Sequence, residues 1–105
     1  MNPITDILHN EKIIDQLTGS ISGETFADPT WEFNYLGYSK KNDAYIIGTY
    51  VYMAGKDGGG FWAFSVKDEK VTIKLSYFAV NESVYGNILN FIKSKYPDTE
   101  DLVLD

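Results

Sequence analysis

The ten residues Ala44–Met53, read as AYIIGTYVYM, decide the fold. On a strand, Tyr45, Ile47, Thr49, Val51 and Met53 project to one side, and Ala44, Ile46, Gly48, Tyr50 and Tyr52 to the other. Neither set is polar. A strand with two largely apolar faces is covered on both sides, which places it in the middle of a sheet with its sequence neighbours beside it.

Upstream, Trp31, Phe33, Tyr35 and Gly37 alternate with Glu32, Asn34, Leu36 and Tyr38, the period of a first long strand. Lys40, Lys41, Asn42 and Asp43 form a polar turn of hairpin length, so the central strand returns antiparallel. Downstream, AGKDGGG reads as a flexible loop and FWAFSVK, from Phe61 to Lys67, as a third strand. Asp68, Glu69 and Lys70 turn the chain again. VTIKLSYF then gives a fourth strand, with Val71, Ile73, Leu75 and Tyr77 on one side.

Pro3 in a first turn, with Ile4, Ile7, Leu8 and Ile14 at helical spacing, predicts an opening amphipathic helix ending near Leu17, with Gly19 as a left-handed cap. Ile13 and Leu17 fall off that stripe, which implies either a break near Asn10 or a wide apolar face. The following GSISGETFADPT reads as a loop with at most a short strand around Phe26. Near the other end, Asn81 is a suitable N-cap, and Val84, Tyr85, Ile88, Leu89, Phe91 and Ile92 form an apolar stripe running to about Lys95, where Pro97 closes the helix. In the tail DTEDLVLD, Leu102, Val103 and Leu104 are candidates for a short final strand. The expected architecture is a single α+β domain over residues 1–105: a four-stranded antiparallel meander with an N-terminal and a C-terminal amphipathic helix packed on one face.

Composition bounds the function. Fifteen acidic against nine basic residues give a net charge of −6, and every basic residue is lysine. Arginine supplies the planar fork that grips phosphates and guanine edges, so its absence in a negative field argues against nucleic-acid binding and favours a basic partner. With no cysteine, disulfides, thiolate metal sites and cysteine nucleophiles are excluded, and a reducing, cytoplasmic setting is expected. No segment approaches the roughly 18 uninterrupted apolar residues of a spanning helix, and MNPITDILHN lacks the pattern of a secretory leader, so no membrane role is expected.

Candidate chemistry is thin. His9 is the sole histidine and lies on a surface-type helix, without partners for a triad or a zinc site. Gly55, Gly58, Gly59 and Gly60 resemble a phosphate loop only superficially, because Lys56 precedes the last three glycines and a strand follows them where a helix is needed. Asp98, Glu100 and Asp101 have oxygen-ligand character without EF-hand spacing and read as a solvated tail. Glu24, Asp28 and Glu32 are the acids near a predicted aromatic strand edge, where a hydrolase would need a cleft. Asn81-Glu82-Ser83 matches a glycosylation sequon but reads better as a helix cap. No catalytic residue, cofactor or metal is therefore assigned, and no enzymatic activity is expected.

Sixteen aromatics, most of them on the strands, exceed what two helices on one face would cover, which leaves tyrosines and tryptophans for an interface. A small, acidic, cysteine-free α+β chain with a tyrosine-rich sheet resembles the bacterial immunity proteins that neutralise toxins, including those of contact-dependent growth inhibition. The resemblance is one of general character over the whole chain, with no diagnostic motif. It implies a cytoplasmic inhibitor that blocks the active site of one cognate toxin domain, often a basic nuclease. The expected contact set is Glu24, Asp28, Glu32 and Asp57 with Tyr35, Tyr38, Tyr50, Tyr52 and Trp62. Two alternatives stay open: a small-ligand-binding or hydrolytic domain, and a domain that self-associates as a homodimer through its aromatic face. The face carrying Tyr50 and Tyr52 is the leading site if the helices cover the opposite face of Ala44–Met53.

Overall fold

The computed structural model describes residues 7, 9–21, 30–53, 56–79 and 82–102. Strands β1 (Thr30–Ser39), β2 (Ala44–Met53), β3 (Lys56–Lys67) and β4 (Lys70–Ala79) form the antiparallel meander, and a short β5 (Glu100–Asp101) adds to the outer side of β1. The sheet order is β4-β3-β2-β1-β5, so β2 and β3 lie inside it. The fifth strand pairs Gly37 with Asp101 and Tyr38 with Glu100, and the Leu102 amide donates to the Leu36 carbonyl at 2.8 Å. It sits just ahead of the apolar triplet expected to form it, of which residues 103–104 lie outside the described chain.

The two helices, α1 (Glu11–Gly19) and α2 (Glu82–Lys95), pack on opposite faces of the sheet, and this corrects the expectation that both share one face. Under α1, Ile13 and Leu17 meet Leu36, Ile47, Trp62 and Phe64. Under α2, Ile88 and Ile92 meet Tyr35, Ala44, Ile46, Phe61 and Ala63. The physical reason is already contained in β2: both of its faces are apolar, and each needs its own cover.

Two inserted residues redistribute the side chains. In β1, Phe33 pairs with Thr49 and Tyr35 with Gly48, so Asn34 is the extra residue of a bulge. Trp31, Phe33, Leu36 and Tyr38 therefore share the α1 face, whereas Glu32, Tyr35 and Gly37 share the α2 face. In β4, Ile73 pairs with Phe64 and Leu75 with Ala63, which makes Lys74 the extra residue. Val71 and Ile73 pack with the α1 core, and Leu75 with the α2 core, so the expected single stripe is split.

Asn10 is the break in the N-terminal helical pattern. Its carboxamide oxygen accepts from the amides of Lys12 and Ile13, capping α1. The C-cap is Ser20 in right-handed helical geometry, in place of a left-handed Gly19. Pro3, Ile4, Leu8 and Asn81 lie outside the described residues.

The glycine-rich segment is strand where a loop was expected. Lys56 to Gly60 pair with Met53 to Thr49, and this ladder satisfies the backbone groups that a loop would leave to water. A β-carbon on Gly60 would run into the Tyr77 carbonyl and the Phe78 ring. Glycine there permits Phe78 to lie against Trp31 and Trp62, with ring centroids 6.1 and 4.7 Å away. At the β3–β4 turn, Asp68 and Glu69 both take positive φ, the two-residue geometry that matches strand twist. Helix α1 holds this turn in place. Gln16 donates to the Glu69 carbonyl and accepts from the Val71 amide, while Asn10 donates to the Glu69 carboxylate.

Candidate functional site

The strand order gives the sheet two unlike ends. One end holds the β1–β2 and β3–β4 turns with Lys40, Lys41, Lys67 and Lys70, and it is densely cross-linked. The Asp98 carboxylate accepts from the Ser39 hydroxyl and the Lys41 amide, both at 2.8 Å, and these bonds hold its carboxyl below the usual carboxylate range. Lys74 donates to the carbonyls of Asn42 and Asp43. Tyr38 donates to Asp43 at 2.8 Å, a bond that raises the phenol above its ordinary range.

A second cluster fastens the C-terminal segment. Tyr35, only 8% exposed, donates to Asp101 at 2.7 Å, and Lys93 pairs with the same carboxylate oxygen and donates to the Thr99 carbonyl. Burial first, then the bond to Asp101, pushes the Tyr35 phenol well up; Lys93 and then Tyr35 draw the Asp101 carboxyl down. The Tyr35 ring occupies space left by two glycines: a β-carbon on Gly37 would stand 2.7 Å from its hydroxyl, and one on Gly48 2.9 Å from its own β-carbon. Asp98 and Asp101 thus hold the tail to the sheet, a correction to the solvated-tail reading.

At the other end, the α2 face carries an exposed group on β1 and β2. Glu32 and Tyr50 are paired across the strands, and Tyr52 follows Tyr50 on the same face. The Tyr52 hydroxyl donates to Glu32 Oε2 at 2.7 Å, and the Tyr50 and Tyr52 rings lie 4.6 Å apart at 55°. Tyr52 is 42% exposed and Glu32 is exposed, whereas Tyr50 is half-buried. Leu89, read from sequence as part of the buried stripe, is 51% exposed. It stands one helical turn before Lys93, on the same flank of α2, so it faces the β1 side of the sheet and lies toward the Glu32 end. A full turn of phase between Ile88 and Ile92 is the signal that Leu89 sits off the buried line.

The nine expected contact residues therefore separate. Glu32, Tyr50 and Tyr52 come together, and the Asp57 backbone pairs with Tyr52 from β3. Trp62 is fully buried beneath α1, with its indole N–H donating to the Ser20 hydroxyl at 3.3 Å, and it offers no surface. Tyr35 is likewise buried, under α2. Tyr38 lies on the α1 face at the turn end, 4.9 Å from the Tyr45 ring, and is separated from the Glu32 group by both face and distance along β1. Glu24 and Asp28 lie outside the described residues.

His9 is exposed beside Asn10, Lys12 and Glu69, in a shallow open depression at the start of α1. Among the described residues no three His, Asp or Glu side chains converge as metal ligands, and no helix is long and apolar enough to cross a membrane. Comparison with known protein families, with curated proteins and with solved structures gave no match.

Proposed function

We propose that this protein is an inhibitor of the immunity type, which binds one cognate toxin domain with a basic surface and blocks its active site. The observation that carries the reading is the exposed group of Glu32, Tyr50 and Tyr52, flanked by Leu89 on α2. It combines amphipathic aromatic anchors and an exposed aliphatic side chain with an acid, the composition of a protein-binding patch. Two features of the chain support a basic partner: the net charge of −6, and the concentration of lysines at the opposite end of the sheet. Long-range attraction would speed encounter, and burial of the tyrosines would slow dissociation.

The test begins with co-purification from the native host, followed by assay of the captured protein alone and in complex. Loss of that protein's activity at a 1:1 ratio supports inhibition. Its association rate falls roughly tenfold or more as salt rises from low to high, because exposed charges are screened over about a Debye length. A rate indifferent to salt removes charge steering, and an unaltered partner activity removes inhibition.

A further inference from the structure

We infer that Glu32, Tyr50 and Tyr52 form a receptor for a single guanidinium group, the side chain of an arginine presented by the protein partner. The inference rests on the proposed binding role and names the chemistry that this surface recognises.

Glu32 differs from the other exposed acids that the fold engages. Glu69 is paired with Lys12, and Asp101 with Lys93. The Glu32 carboxylate accepts at Oε2 from the Tyr52 hydroxyl and forms no ion pair among the described residues. One neutral hydroxyl leaves most of the accepting capacity of an ionised carboxylate unfilled, and that capacity is met best by a charged donor. The hydrogen bond also fixes the carboxylate against the Tyr52 ring. A cation that reaches the acid is thereby held close to the tyrosine faces, within the range of cation–π attraction.

The chain does not supply that cation itself. It contains no arginine, and Lys56, the lysine nearest this end in the strand register, stands opposite Met53, the register position of the other face. On β3, Tyr50 is paired with Gly59, which carries no side chain to fill the space beside the ring. A guanidinium suits the arrangement better than an ammonium: it is planar and weakly hydrated, so it stacks on a tyrosine face while its edge donates to a carboxylate.

The experiment uses the full chain and N-acetyl-argininamide as the probe, followed by the NMR signals of the Tyr50 and Tyr52 rings. The expected result is a saturable shift of both rings, with affinity about fivefold weaker in Glu32→Gln and weaker again in Tyr52→Ala, while the corresponding lysinamide binds less well. Tyr52→Phe keeps the stacking surface, so it retains most of the binding. Ring signals that do not move, or that move equally in wild type and Glu32→Gln, overturn the proposal. The two readings fail separately: a folded protein that binds the probe yet inhibits no partner refutes the inhibitory role alone. An inhibited basic partner whose affinity is unchanged by Glu32→Gln refutes the guanidinium receptor alone.

Discussion

The two ends of the sheet use their charges differently. At the turn end, Asp98, Asp43 and Glu69 are each held by donors from another part of the chain, and Lys74 ties β4 to the β1–β2 turn. At the opposite end, Glu32 is held by one tyrosine hydroxyl from the neighbouring strand, and large apolar groups stand exposed near it. Polar contacts between distant segments fix a fold; an acid held only by its sheet neighbour, next to exposed aromatic surface, is arranged for contact with another molecule. The difference teaches that acidity alone does not mark an interface in this chain. What marks it is an acid without a cationic partner beside exposed rings.

The comparison is open to breaking by mutation. Trp62→Ala sets the scale: emptying a fully buried indole site between β1, β3 and α1 costs about 3–5 kcal/mol, measured as a drop in the denaturant midpoint. Gly60→Ala forces the Phe78 ring and the β4 backbone apart and costs about 1–3 kcal/mol in the same assay. Asp101→Asn loosens the tail. Its side chain is two-thirds exposed, so solvent screening limits the loss to about 1 kcal/mol or less. Tyr52→Ala and Glu32→Gln change stability by no more than about 0.5 kcal/mol, yet both slow association with a basic partner. If Glu32→Gln destabilises as much as Asp101→Asn, the two ends do not divide the work as described.

The pH dependence sharpens the same contrast. Asp98, Asp101 and Glu69 have lowered carboxyl pKa values in the folded state, so their contribution is present above the ordinary carboxylate range. As pH falls through that range the unfolded chain takes up protons first, and the stabilisation is lost. Tyr35 acts in the other direction. Its phenol is raised from 10.0, so its contribution is intact below pH 10.0 and is lost as the unfolded state ionises above it. Denaturation curves over both limbs should show a shallower acid limb in Asp101→Asn and a shallower alkaline limb in Tyr35→Phe. Unchanged limbs would remove these groups from the pH response.

Much of the fold was legible because period and punctuation are local properties. The strand Ala44–Met53 lies where its double apolar alternation put it, Asn10 marks the helix break that Ile13 and Leu17 had signalled, and the polar turns at Lys40–Asp43 and Asp68–Glu69 are where the chain reverses. The candidate site was legible only in part. Glu32, Tyr50 and Tyr52 could be picked out as acid and tyrosines near one strand edge, but the same reasoning chose Tyr35 and Trp62, which are buried. Residue type does not reveal exposure when both faces of a sheet are aromatic.

What the sequence determined by itself was the set of elements: four strands in a meander, two amphipathic helices, an interior β2, and an acidic surface without arginine. Each follows from spacing along the chain or from composition. Tertiary structure alone decided the side on which each helix lies, the burial of Trp62 and Tyr35, and the strand character of the glycine run. It also decided the two bulges, and these had the widest effect. Side chains on a strand alternate with period two, so a single inserted residue at Asn34 or Lys74 sends every later side chain to the other face, and only the partner strand reveals the insertion.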